Sequence, residues 1–427
     1  MTVPTSVLLV NGNGLNGNNA ENHTSNGHSN GHGHGHSSSN SNGPADPAGL
    51  LPDSFLFGFA SASAQIESAA EEGERGPSIW DKFCTQPGKI QDGTSVARTC
   101  DHVRLFKEDI ALMKSLGVNS YRFSFSWSRI IPKGGKDDPV SEEGIQFYSD
   151  LIDELLENGI TPFATLYHWD LPLALYERYG GWLSRDIFSD FERYADLCFS
   201  RFGDRVKHWL TLNEPWCVAV LGHGRGAFAP GHVSNVEPWI VGHHCILAHA
   251  KVTRLYRTKY KSAQKGTIGI TLNGDWAIPL DNRPETIKAT QDKMDVAIGW
   301  FADPIYLGHY PPSLVKRLGD RLPKFTEDEI KLVHGSSDFY GCNTYTTNTI
   351  VAGGCDEFDG NAILSFQRPD GSGRELGVQS EADWLQDVPW GLRALLNYLY
   401  KRYKLPIFMT ENGFAVKGEH KMEKEQA

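Results

Sequence analysis

IFSDFERYADLCFSRFGDRVKHWLTLNEP, residues 187–215, holds the pattern that decides the fold. Its first part, IFSDFERYADLCFSRFG, reads as a helix. Its second, VKHWLTLNEP (206–215), reads as a strand: short, apolar, aromatic, and ending in polar residues. The same helix-then-strand unit recurs along the chain. DIALMKSLGV (109–118) precedes SYRFSFSWSRI (120–130), and FYSDLIDELLENG (147–159) precedes ITPFATLYHWD (160–170). A long helical stretch from Trp239 to Tyr260 precedes KGTIGITLNGD (265–275). TEDEIKLVHG precedes SDFYGCNTY (337–345), and GLRALLNYLYKRYK precedes LPIFMTENG (405–413). With FLFGFA (55–60) as a first strand, seven strands are expected. Repeated units of this kind give parallel strands joined by crossover helices. Polar residues clustered just after the strand ends point to a (β/α) barrel with its site at the C-terminal face. A doubly wound sheet is the alternative on pattern alone.

The chain has 427 residues, of which 40% are hydrophobic, enough to bury a core. Its net charge of −11 argues against a nucleic-acid or polybasic membrane role, because nothing would neutralise phosphates over a wide surface. No run approaches the ~18 apolar residues of a membrane span. Val7 to Val10 is apolar but lacks the basic flank and length of a secretory signal. The seven cysteines are odd in number, widely spaced and without CxxC pairs. That argues against a disulfide framework and a structural zinc site and suits a reducing, cytoplasmic setting. Residues 1–51 are dominated by Asn, Gly, Ser and His and are expected to be a disordered leader. Its His28, His32, His34 and His36 read as part of a polar tail rather than as a metal site. The folded domain is expected over residues 52–427.

Two acids carry the chemistry. Glu214 in TLNEP and Glu411 in MTENG each stand at the end of an apolar strand, before a turn. Two carboxylates facing one point are the minimal equipment for cleaving a glycosidic bond. One is protonated to help the leaving group depart, and the other is ionised to attack or to activate water.

The motifs FGFASASAQIE, SYRFSFSWSRIIP, YHWDLP, TLNEP, DFYGCNTYT and TENG, in this order along the chain, resemble those of family 1 glycoside hydrolases, the retaining β-glucosidase family. GPSIWDKFC and WLQDVPWGLRALLNYLYKRYKLPIFMTENGF are most similar to fungal intracellular members. The resemblance implies a (β/α)8 TIM barrel and hydrolysis of terminal β-D-glucosyl residues in cellobiose-like and aryl β-glucosides, as in cellulose degradation. It implies no cofactor and no metal. Carried over by position, Glu214 is the acid/base and Glu411 the nucleophile. Asn213 bonds the sugar 2-hydroxyl, Gln65 and His168 bond outer hydroxyls, and Trp169 walls that subsite. Asn343 joins the substrate-binding set, and Arg122 and Tyr345 hold Glu411 ionised and oriented. The logic stands without the family: a nucleophilic carboxylate needs a cation and a hydroxyl donor, and its acid partner needs a raised pKa. Trp127, Trp182 and Trp209 read as packing residues, and Trp216 as a wall near Glu214.

Two departures from the family follow. Ala64 stands where the family usually has Tyr, and no Trp-rich motif follows Glu411. The expectation is therefore a barrel lacking its eighth β/α unit, with unpaired edges on strands one and seven. The alternative function is an inactive truncated fragment with at most residual sugar binding. Glu214 speaks against a thioglucosidase, in which Gln usually replaces it; a 6-phospho-β-glycosidase stays open. Glycone selectivity and oligomeric state are not written in these motifs.

Overall fold

The computed structural model describes residues 52, 54–68 and 74–422, together with the backbone of residues 5–9. Seven parallel strands follow one another around a sheet: β1 (Leu56–Ala60), β2 (Ser120–Ser124), β3 (Thr161–Tyr167), β4 (His208–Asn213), β5 (Thr267–Asn273), β6 (Tyr340–Asn343) and β7 (Ile407–Glu411). The helices α1 (His102–Ser115), α2 (Glu142–Glu157), α3 (Ile187–Phe202), α4 (Glu237–Leu255), α5 (Glu327–Val333) and α6 (Pro389–Tyr403) lie in the crossovers. The result is a nearly closed (β/α) barrel, not a doubly wound sheet.

Each helix follows from its sequence. In α2, Ser141 accepts a hydrogen bond from the Gly144 amide, and Glu142 and Glu143 place negative charge at the helix N-terminus. Ile145, Tyr148, Leu151, Ile152 and Leu155 then fall on one buried face. Gly159, at φ +74°, lets the chain turn back into β3. In α3, Phe191, Tyr194, Cys198, Phe199 and Phe202 form the buried stripe. Trp127, Trp182 and Trp209 are buried in this packing, as read from the sequence.

Inside the barrel, Ala60, Phe163, Leu210, Phe339 and Phe408 form a separate apolar cluster. Phe408 stands edge-on to Phe339, with ring centroids 4.7 Å apart, and also meets Phe163 at 5.4 Å. A fully buried Phe contributes ~1.5–3 kcal/mol, and truncation to Ala costs about 3–5 kcal/mol. This cluster floors the barrel. The next inward residues are polar: Arg122, Thr165, Asn213, Thr271, Asn343 and Thr410 are all nearly inaccessible.

The sequence suggests that β1 carries a free edge, but the structure pairs it. The strand Thr5–Leu9 runs antiparallel to β1, from Thr5 opposite Ala60 to Leu9 opposite Leu56, and lies alongside β7. A free row of backbone donors and acceptors recruits an extended segment, and this is the β-branched, apolar part of the leader. Thr5–Leu9 of the expected leader is thus a strand; residues 10–51, with their histidines, lie outside the described residues. Among the described residues, no helix is long and apolar enough to cross a membrane.

Candidate active site

The barrel's C-terminal mouth is built by two irregular strand ends. In β4, Leu210 points into the barrel and Thr211 outward, where it meets His249 of α4 at 2.7 Å. Strict alternation would send Leu212 inward. Instead the register shifts between Leu210 and Asn213, Leu212 packs in the outer core, and Asn213 turns in. A second shift lies between Met409 and Glu411. It lets both Thr410 and Glu411 reach the site. Such bulges re-aim side chains beside active sites. The backbone is also strained there: Glu214 has φ +45° and Trp169 φ +75°, unusual for residues with a Cβ.

Glu411 is held on both oxygens. Arg122 Nη1 donates to its Oε1 at 2.5 Å, and the Tyr345 hydroxyl donates to its Oε2 at 2.6 Å. Burial alone would raise this carboxyl, but the Arg122 charge and the Tyr345 bond bring it below its ordinary range. Arg122, only 1% exposed, also donates through Nη2 to Asn213 Oδ1 at 2.7 Å and through Nε to Thr165 Oγ1 at 3.0 Å.

Glu214 has the opposite environment. Burial first, and then the charge of Glu411, push it up to about 7. Two donors oppose this: Asn343 Nδ2 reaches its Oε1 at 2.7 Å, and the Cys217 thiol reaches its Oε2 at 3.1 Å. One carboxyl is thus kept ionised and the other is poised to hold a proton near neutrality. That is the equipment for acid-assisted attack at a glycosidic carbon.

Asn213 joins the two halves. Its Oδ1 accepts from both Arg122 and Asn343 (3.1 Å), and its Nδ2 donates to His168 Nε2 at 2.9 Å. Burial lowers His168 to about 3, so the ring is neutral, and its buried Nδ1 has no partner. Trp169 donates its indole N–H to the Asn213 carbonyl at 3.1 Å and packs against Phe228. Trp216 has two cations near its ring, Arg225 at 5.5 Å and Lys293 at 5.8 Å from the centroid. The structure thus gathers Glu214, Glu411, Asn213, Asn343, Arg122, Tyr345, His168 and Trp169. Gln65 stands apart from this network, on the short helix Ser63–Ile66 after β1, with its amide exposed.

Sequence reasoning missed several supports. Thr410 donates to Asn343 Oδ1 at 2.7 Å, and Thr165 orients Arg122. Asp275 accepts from the Tyr345 and Thr346 amides and the Thr344 hydroxyl, fixing the turn that carries Tyr345. Asp170 accepts from Ser63 at 2.7 Å and so ties the His168 loop to the Gln65 helix. The available signal was threonine or aspartate at or just beyond the C-terminal end of an apolar strand. No group of His, Cys, Asp or Glu among the described residues is arranged to hold a metal ion.

The sequence pattern of glycosyl hydrolase family 1 matches residues 48–426. The chain belongs to this family. Beta-glucosidase 1B of Phanerodontia chrysosporium is 59% identical over 394 residues, which is 90% of this chain and 73% of that protein. Among solved structures, a family 1 β-glucosidase from Humicola insolens in complex with glucose superposes with a TM-score of 0.83 at 51% identity. That match covers 86% of this chain and 80% of the other. β-Glucosidase 2 of Trichoderma reesei, in complex with Tris, gives 0.85 at 49% identity over 88% and 82%. Family 1 membership fits the site: two carboxylates in opposite environments at the C-terminal face of a (β/α) barrel.

Proposed function

We propose that this chain is a retaining β-glucosidase. It hydrolyses terminal non-reducing β-D-glucosyl residues of cellobiose-like and aryl β-glucosides, a step in cellulose degradation. Glu411 attacks the anomeric carbon while Glu214 protonates the departing oxygen, giving a covalent glycosyl-enzyme and a free aglycone. Esterification removes the Glu411 charge that raises Glu214. Glu214 then becomes more acidic and serves as base to the water that releases glucose. Asn213 bonds the 2-hydroxyl, and Asn343, which donates to Glu214, orients it. His168, with an unpaired buried nitrogen, and Gln65, with a free amide, contact outer hydroxyls beside the Trp169 wall. No cofactor enters this scheme.

The observation that carries the reading is the electrostatic contrast between the two glutamates. An active site assembled on seven parallel strands, with Thr5–Leu9 beside them, is part of the proposal. So is a reducing, cytoplasmic setting, supported by cysteines that are all free thiols.

The test is hydrolysis of p-nitrophenyl β-glucoside with Glu411→Ala as control. Turnover equal in the two, in preparations that melt cooperatively, refutes the reading. Azide should restore Glu411→Gly and yield α-glucosyl azide, since azide then attacks from the vacated face. Recovery of the β-azide alone would assign the nucleophile to Glu214.

A further inference from the structure

Glu214 is the second residue of NEP, and the chain folds back over it at once. Its carbonyl accepts from the amides of Cys217 (2.9 Å) and Val218 (3.2 Å), opening a π-helical turn over Cys217–Leu221. That turn lays the Cys217 side chain on the carboxyl. The thiol is buried, 7% exposed, and lies 3.1 Å from Glu214 Oε2.

We propose that Cys217 is a positioning residue for Glu214, one whose thiol bonds the ionised carboxylate and releases it when that carboxyl takes up a proton. The inference rests on the acid/base reading of Glu214. The two oxygens are not equivalent. Asn343 Nδ2 holds Oε1, and Asn343 is itself fixed by Thr410 and Asn213. An amide cannot reverse its donor without turning the whole side chain. A thiol reverses by rotating one S–H bond, and its hydrogen bond is weak. Oε2 is therefore the oxygen that carries the proton delivered to the glycosidic oxygen. As that proton leaves, the S–H turns back and donates to the new carboxylate. In the second half-reaction Oε2 takes a proton from water, and the thiol turns away again. The sulfur exchanges no proton and forms no bond.

The thiol stays protonated throughout. Burial raises it well above its ordinary value, and the Glu214 charge raises it further, while Arg225 acts in the opposite sense. The charged and titratable groups facing Glu214 are Glu411 from β7, Arg122 from β2, Tyr345 from the turn after β6, and Cys217 itself. Of these, Cys217 can be changed without touching the groups that hold Glu411.

The experiment is the pH dependence of hydrolysis in wild type, Cys217→Ala and Cys217→Ser, with melting temperatures measured alongside. Removing a weak donor from the carboxylate should move the alkaline limb of kcat/KM upward by about half a pH unit. With 2,4-dinitrophenyl β-glucoside, whose leaving group needs no acid, the base-assisted step starts from the carboxylate that the thiol bonds, so Cys217→Ala should raise kcat up to about threefold at that step. Cys217→Ser restores a donor and should return the limb to the wild-type position or below it. An unmoved limb in both variants, whatever happens to melting, overturns the inference and leaves Cys217 a packing residue. A wild type without a bell-shaped profile, or no more active than Glu411→Ala, defeats the reading of the site instead.

Discussion

Replacing Arg122 with Met removes what is, among the described residues, the one cation in contact with the proposed nucleophile, while keeping much of the volume. Arg122 is buried, and its guanidinium serves Glu411, Asn213 and Thr165 together. Removing one partner of a buried pair costs about 3–5 kcal/mol, because the other charge is left uncompensated. Glu411 relieves that cost by taking up a proton, and a protonated Glu411 cannot attack. Taking the lower figure, kcat/KM should fall by about two orders of magnitude near neutrality. The pH dependence has a definite sign. Arg122 lowers Glu411 in the wild type, so without it ionisation needs a higher pH, and the acid limb must move upward. Arg122→Lys keeps the charge but cannot span three acceptors from one planar fork. It should lose less activity and keep its acid limb near wild type. The assay is kcat/KM for p-nitrophenyl β-glucoside from about pH 4 to 8, with circular-dichroism melts to show folding. A folded Arg122→Met enzyme with an unshifted acid limb and kcat/KM within about threefold of wild type would refute the reasoning.

Asp170 offers a second test. Burial pushes it up to about 7, and its Oδ2 accepts from Ser63 while Oδ1 has no partner. Asp170→Asn mimics the protonated acid and should keep nearly wild-type kinetics at mildly acidic pH. Asp170→Ala frees Ser63 and should raise KM about tenfold with little change in kcat. Equal KM values in the two variants would remove the tie between the His168 loop and the Gln65 helix. Acid stability is a third test. Burial lowers His168 and His249 to about 3, and His208, His223 and His243 to about 4. Unfolded imidazoles titrate at ~6.5, so this stabilisation is complete above that pH and is lost as pH falls toward the folded values. Each ring contributes a slope of up to about 1.4 kcal/mol per pH unit in that interval. Melting temperature should fall steeply from about pH 6.5 to 4.5, and a flat profile there would contradict the burial of these rings in neutral form.

The strands were legible because each is a short apolar run after a helical segment, and the two acids because each ends such a run in a turn. Arg122 is harder to read: one cation in a strand is as well explained by a structural ion pair, and only the fold sets it against Glu411. The inward turn of Asn213 was not legible, because simple alternation from Leu210 sends Leu212 into the barrel. A bulge depends on neighbouring strands, and no local sequence signal marks this one. Pairing of Thr5–Leu9 with β1 was missed for a related reason. Composition averaged over the Asn- and Gly-rich leader hides five residues with strand character, and what they pair with lies 51 residues further along.

The bonds around Asn213 have a consequence for how variants combine. Arg122 and Asn343 donate to the same amide oxygen, so each sees a partner already polarised by the other. In a thermodynamic cycle the coupling between changes at Arg122 and Asn343 should be large and negative. The double variant should lose far less than the product of the single losses, because the first substitution already breaks the circuit the second would break. No single residue here has a catalytic contribution of its own: Glu411, Arg122, Asn213, Asn343 and Glu214 fail as one unit.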